Sequence, residues 1–112
     1  MLEFDNIIIG SGPSGLMCAC HLESKTLVIE KNGEIGGKIK VSGGGRCNLT
    51  NKKNVDGIIN NVARNGKFLY STLNTFGPNE IIGFFEKNGL KTKIEDHERV
   101  FPGDNKSQSV ID

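Results

Sequence analysis

Six residues, Gly10-Ser11-Gly12-Pro13-Ser14-Gly15, follow directly on the run Phe4-Asp5-Asn6-Ile7-Ile8-Ile9, and Glu30 closes a second apolar run twenty residues after Gly10. Glycines at these intervals after a strand, with an acid at that distance, suit the chemistry of holding a pyrophosphate and a ribose. Gly10 permits the tight turn out of the strand. Gly12 lets bare backbone approach the pyrophosphate, and Gly15 lets the next helix lie close to the sheet. Pro13 fits the first helical turn, where its missing N–H costs nothing. The remaining N–H groups of that turn, Ser14 among them, and the positive end of the helix dipole favour an anion. Glu30 would accept hydrogen bonds from ribose hydroxyls and repel a ribose phosphate, which argues for FAD or NAD at this site and against NADP.

The elements that must position these residues form a βαβ unit over 3–31. A strand ends at Ile9, a helix runs from Pro13 to about Glu23, and Thr26-Leu27-Val28-Ile29 reads as a buried parallel strand. Leu16, Met17, Cys20 and Leu22 supply the apolar face of the helix, while Gly15 and Ala19 keep its strand side small. Residues 32–54 are rich in Gly, Asn and Lys and read as a long ordered loop without regular structure. Over 55–112, Phe68, Leu69, Leu73 and Phe76 are spaced for a helix ended by Gly77-Pro78. A second helix follows, with Ile81, Ile82 and Phe85 inward and Gly89 as its cap. Leu90 to Glu95 alternates like a half-exposed strand, a polar turn covers Asp96-His97-Glu98, and Arg99-Val100-Phe101-Pro102 is a further short run. The chain stops in what reads as the opening of a helix, Ser107 to Asp112. Two secure strands are too few for a complete doubly wound sheet, so the expectation is an incomplete α/β fold.

With 14 basic and 13 acidic residues and no basic run, the 112-residue chain lacks the electrostatic footprint of a nucleic-acid binder. No apolar stretch approaches membrane-spanning length and no signal peptide is visible, so a cytoplasmic location is the default. Three cysteines without a framework agree with a reducing compartment. Cys18 and Cys20, two apart on one helix, diverge rather than converge on a metal and read as small packing residues, and no metal site is expected. His21 reads as a partner for the helix C-terminus and His97 as a turn residue.

Beyond Glu30 comes the pair Gly36-Gly37, and then Lys38-Ile39-Lys40-Val41-Ser42-Gly43-Gly44-Gly45-Arg46-Cys47-Asn48-Leu49-Thr50-Asn51. The Glu to Gly-Gly spacing resembles FAD-binding proteins of the glutathione reductase structural type. The longer string resembles the signature of the BaiN-like (YhiN-type) NAD(P)/FAD-dependent oxidoreductases, and Lys67-Phe68-Leu69-Tyr70, Phe84-Phe85-Glu86 and Arg99-Val100-Phe101-Pro102 are similar to the same family. The resemblance runs over nearly the whole chain, which corresponds to about the first quarter of such a protein. It implies the N-terminal part of a Rossmann-like FAD-binding fold, with 1–112 a partial FAD-binding domain. It further implies hydride transfer between NAD(P)H and a small organic acceptor through FAD; charge and hydropathy argue against a nucleic acid or membrane partner, and the isolated 112-residue chain is expected to be inactive.

Physical chemistry gives the string a matching role. Its glycines would offer backbone N–H groups as an anion nest, Arg46 a fixed charge for either the pyrophosphate or the flavin pyrimidine, and Asn48, Thr50 and Asn51 polar groups for a heterocycle edge. The candidate cofactor-binding set is therefore Gly10, Ser11, Gly12, Pro13, Ser14, Gly15, Glu30, Lys31, Gly37, Lys38, Ser42, Gly43, Gly45, Arg46, Asn48 and Thr50. No catalytic residue is assigned. Cys47 reads as packing in the cofactor loop, since Lys38, Ile39 and Lys40 stand where dithiol flavoenzymes carry paired cysteines. Arg99 either approaches the cofactor or pairs with Glu95 or Asp96. Two other readings stay open: a nucleotide-binding remnant without catalysis, and an NAD-binding dehydrogenase domain.

Overall fold

The computed structural model describes residues 1–112. Strand β1 (Asn6–Ile9) leads through the first glycine turn into helix α1 (Pro13–Cys20) and back to β2 (Thr26–Ile29), which pairs parallel with β1 from Asn6 opposite Thr26 to Ile9 opposite Ile29. This is the βαβ unit expected from the sequence. Gly10 sits at φ +98°, where a residue with a Cβ is strained, and its N–H donates to the Ile29 carbonyl at 2.7 Å. A Cβ on Gly15 would run into the Gly10 carbonyl. That close approach is the reason α1 lies tight on the turn.

Helix α1 ends at Cys20 rather than near Glu23. His21 closes it: its Nδ1 donates to the Met17 carbonyl at 2.8 Å, and the ring stacks on Phe84 with centroids 5.2 Å apart. This satisfies a terminal carbonyl, as expected for His21, and leaves Leu22 outside the helix. Cys18 and Cys20 are exposed, a correction to their expected packing role: Cys18 lies outside the face formed by Leu16 and Met17, and Cys20 borders an open cavity.

Residues 32–54 are more regular than expected. They hold helix α2 (Gly37–Val41), a left-handed turn through Gly43 and Gly44, and the short strand β3 (Thr50–Asn51). Gly36, at φ +68°, starts α2, and its N–H donates to the Ser11 carbonyl at 3.0 Å. Buried Ile39 then anchors the helix. Helix α3 (Val55–Ile59) follows, capped by the Asn54 side chain, which accepts from the Gly57 N–H at 2.8 Å.

The helix expected over 68–76 is split into a 3-10 turn over Gly66–Leu69 and α4 (Tyr70–Thr75), and Phe68 lies 86% exposed instead of facing inward. Asn65 at φ +55° sets the preceding turn and redirects the chain. Helix α5 (Pro78–Lys87) starts with proline in its first turn, and Glu80 accepts from the Gly77 N–H at 2.9 Å. Strands β4 (Thr92–Glu95) and β5 (Arg99–Pro102) form an antiparallel pair, and β3 adds to the other side of β5, giving the order β3-β5-β4. Helix α6 (Ser107–Ile111) packs on α2, where a Cβ on Gly36 would lie 2.9 Å from the Ile111 side chain.

The core centres on β5, where Val100 and Phe101 are 0% and 1% exposed. On the parallel pair, Ile7 and Ile9 remain 62% and 86% exposed, so the sheet face away from α1 is not covered within these residues. No helix is long and apolar enough to cross a membrane.

The two motif glycines therefore differ in what they tolerate. Gly15→Ala forces the Gly10 turn away from α1 and lowers stability by about 1–3 kcal/mol. Gly12, with nothing within 4 Å of where a methyl group would stand and an ordinary extended backbone, accepts alanine within about 0.5 kcal/mol. Denaturant unfolding of the two variants checks the contrast.

Candidate functional site

The first glycine turn, the end of β2 and the Gly36-Gly37 turn meet around one residue. Ser11 is 1% exposed. Its N–H and its hydroxyl donate to Glu30 Oε2 at 2.9 and 2.6 Å, while its carbonyl accepts from Gly36. The other carboxylate oxygen, Oε1, accepts from the Asn32 N–H and side-chain amide at 2.9 and 2.8 Å. Four donors therefore converge on Glu30. The Ser11 hydroxyl, then the Asn32 and Ser11 amides, hold its carboxyl down at about 2 from the usual 4.5.

Around this knot lies a polar cavity of about 640 Å³ with no hydrophobic residue in its wall. Ser11, Gly12, Pro13, Ser14, Glu30, Gly37 and Lys38 line it, all of them expected from the sequence. Asn32, Gly33 and Glu34 line it too and were not expected. The signal for Asn32 was its place two residues after Glu30, the spacing at which an Asn side chain and amide fold back on a neighbour. Gly10, Gly15 and Lys31 stand outside the wall: the first two shape the turn, and Lys31 is exposed beyond β2.

A second cavity, about 570 Å³ and mainly apolar, shares Pro13 and Lys38 with the first. Leu16, Met17 and Cys20 of α1 form one side, Phe84 and Phe85 of α5 another, and Ser42, Cys47 and Asn48 complete it. The first glycine turn and the later glycine string thus border two neighbouring cavities with Pro13 and Lys38 in the wall of both. Burial pushes the Cys47 thiol up, opposite to what a reactive thiolate needs, which agrees with a packing role.

Other members of the string face elsewhere. Arg46 lines neither cavity; its Nη1 lies 2.9 and 3.0 Å from the two Glu95 oxygens. Gly43 is pressed against Phe101 and the Asn48 N–H, Gly45 turns at φ +85° on the surface, and Thr50 pairs with Val100 in the sheet. The Asn48 side-chain amide sits beside the Thr50 and Val100 carbonyls, to which its nitrogen donates at 2.9 and 3.2 Å once the amide is turned over to satisfy both of its ends. Arg99 makes no carboxylate pair: its Nε donates to the Asp96 carbonyl at 3.0 Å.

The HI0933-like protein Rossmann domain matches residues 4–112, almost the entire chain. The chain belongs to that family. It is 32% identical over 115 residues to the ribosomal RNA dihydrouridine synthase of Escherichia coli (strain K12), covering 100% of this chain and 28% of the relative. It is also 32% identical over 110 residues to the 3-dehydro-bile acid delta(4,6)-reductase of Clostridium scindens, covering 94% and 26%. A ribosomal RNA dihydrouridine synthase of Haemophilus influenzae is 52% identical over 50 residues, or 42% of this chain and 12% of that one. The chain thus spans about a quarter of the length of the first two relatives. Membership agrees with the resemblance drawn from the glycine string, and the Rossmann description agrees with the parallel βαβ unit.

The depressed Glu30 value fixes a pH window. A carboxylate held below its unfolded value contributes stability that is fully present above about pH 4.5 and is lost as pH falls through about 2. An NMR titration should find the Glu30 carboxyl midpoint near 2 in the native chain, and Ser11→Ala should raise it.

Proposed function

We propose that the chain holds FAD across the two joined cavities and forms the cofactor-binding part of a flavin-dependent oxidoreductase. The observation that carries this reading is their shared wall at Pro13 and Lys38: a polar compartment with an ionised carboxylate abuts an apolar one, matching an adenosine diphosphate joined to a planar ring. The residues present fit the group. Gly12 offers backbone with open space where a Cβ would stand, and no side chain there would keep a diphosphate away.

In this reading Glu30 accepts the ribose hydroxyls. Ser11 and Asn32 hold the carboxylate ionised and correctly turned, and its charge disfavours a phosphorylated ribose. The N-terminal turn of α1 and the Lys38 ammonium face the diphosphate. Ser42 and Asn48 supply polar edges in a wall otherwise made by Leu16, Met17, Phe84 and Phe85, which exclude water from the ring. When bound, the flavin supplies two-electron redox chemistry; the chain contributes binding, orientation and a dry surface.

Both 32% identical relatives bear names that describe reductive chemistry, on ribosomal RNA in one and on a 3-dehydro-bile acid in the other. We assign the whole protein hydride transfer from NAD(P)H to an organic acceptor in a cytoplasmic setting, consistent with three free cysteines. Residues 3–31 and 32–54 each contribute to both cavities, with Glu30 and the first turn on the nucleotide side, and 55–112 complete the ring compartment through residues such as Phe84 and Phe85.

FAD titrated into the purified chain tests the reading. The native chain should retain a flavin spectrum after gel filtration, Gly12→Val should fold and lose it, and Glu30→Gln should weaken binding by about 1.5–3 kcal/mol, tenfold or more. Stabilisation by NAD with no flavin retained, or normal flavin content in Gly12→Val, would overturn it.

A further inference from the structure

Arg46 carries the one guanidinium in the glycine string, yet it lines neither cavity. Besides its two contacts to Glu95 on β4, its guanidinium carbon lies 4.0 Å from the centre of the Phe101 ring, and Nη1 is 3.4 Å from Asn105 Oδ1. Phe101 is 1% exposed on β5, so the guanidinium stacks on a ring that cannot move aside. The same ring meets the string a second time: a Cβ on Gly43 would lie 2.9 Å from Phe101 Cε1 and 2.7 Å from the Asn48 nitrogen. Lys93 joins the network through Glu95 Oε1 at 3.0 Å. Flanking the two fixed points, Gly43 and Arg46, stand residues that wall the apolar cavity, Ser42 on one side and Cys47 and Asn48 on the other.

Cys47 itself adopts φ +62° without being glycine, a conformation that persists only where the surroundings impose it. Its N–H donates to the Ser42 carbonyl at 3.0 Å, and the Leu49 N–H donates to Val100 at 2.8 Å. The loop is therefore set in place from the antiparallel sheet, and Arg46 is the side chain that spans from one to the other.

We propose that Arg46 is a positioning residue: through Glu95 and Phe101 it fixes Ser42, Cys47 and Asn48 against the apolar cavity and so orients the bound ring without touching the cofactor. This rests on the flavin reading for its ligand, but the clamp is a property of the chain alone. Lys93 and Arg46 keep the Glu95 carboxyl below its usual range.

Arg46→Met, Arg46→Lys and Glu95→Gln separate a clamp from a ligand. The clamp requires that Glu95→Gln, which substitutes no cavity residue, weaken FAD binding about tenfold and shift the visible circular dichroism of bound flavin in the same direction as Arg46→Met. Arg46→Lys should recover part of both. If Arg46 contacts FAD directly, Arg46→Met abolishes binding while Glu95→Gln leaves affinity and spectrum unchanged, and the proposal falls.

A ligand-free readout keeps the clamp and the flavin reading distinct. In NMR spectra of the chain alone, the Cys47 and Asn48 amides should move in both Glu95→Gln and Arg46→Met. Their movement in a chain that binds no FAD would sustain the clamp and overturn the flavin reading. Unmoved amides would overturn the clamp whatever the chain binds.

Discussion

The bond from a buried serine hydroxyl to an ionised carboxylate makes two separate turns into one surface. Ser11 reaches Glu30 with both its donors and offers its carbonyl to Gly36, so β1, β2 and α2 are tied at a single residue. The carboxylate has to carry its charge for this to work. A protonated acid would present one oxygen as a donor facing donors, and the buried Ser11 would lose an acceptor for its hydroxyl or its amide. The same charge defines the polar cavity, so local folding and ligand selection draw on one ionisation state.

What could be read from the sequence follows from how local its causes are. Gly10 needs a positive φ, Pro13 suits a first helical turn, Gly15 has no room for a Cβ, and Glu30 stands where β2 ends; each is decided within a few residues, and each was legible. The short helices α2, α3 and α4, of five or six residues, are below the length at which an apolar period can be counted. They form because Ile39, the Asn54 cap and the Asn65 turn meet particular partners. The end of α1 belongs to the same class, since His21 stops the helix by contacts with Phe84, far along the chain.

The site divides in the same way. Residues of the first turn and of Gly37-Lys38 line the cavities as their types suggested, because backbone exposure and charge are properties of the segment itself. Arg46 is different. Its direction is chosen by Glu95, forty-nine positions later, and by a ring whose burial depends on the β3-β5-β4 sheet. A motif can therefore be diagnostic of a family while much of it serves the fold. In this string Ser42 and Asn48 face the cavity, while Gly43, Arg46 and Thr50 hold the segment to β5 and its neighbours.

This division bears on charge balance at the joined cavities. With Arg46 neutralised by Glu95, and Lys40 paired with Glu34 at 2.6 Å, Lys38 is the basic side chain in the wall that both compartments share. A diphosphate placed there would meet the α1 turn from one side and a flexible ammonium from the other. That combination neutralises charge without imposing the rigid fork of a guanidinium. Precise orientation would then come from the apolar walls and from the loop pinned to Phe101, with electrostatic attraction acting mainly on the phosphates. Affinity and alignment would thus rest on different residues, so a variant could lose one while keeping the other.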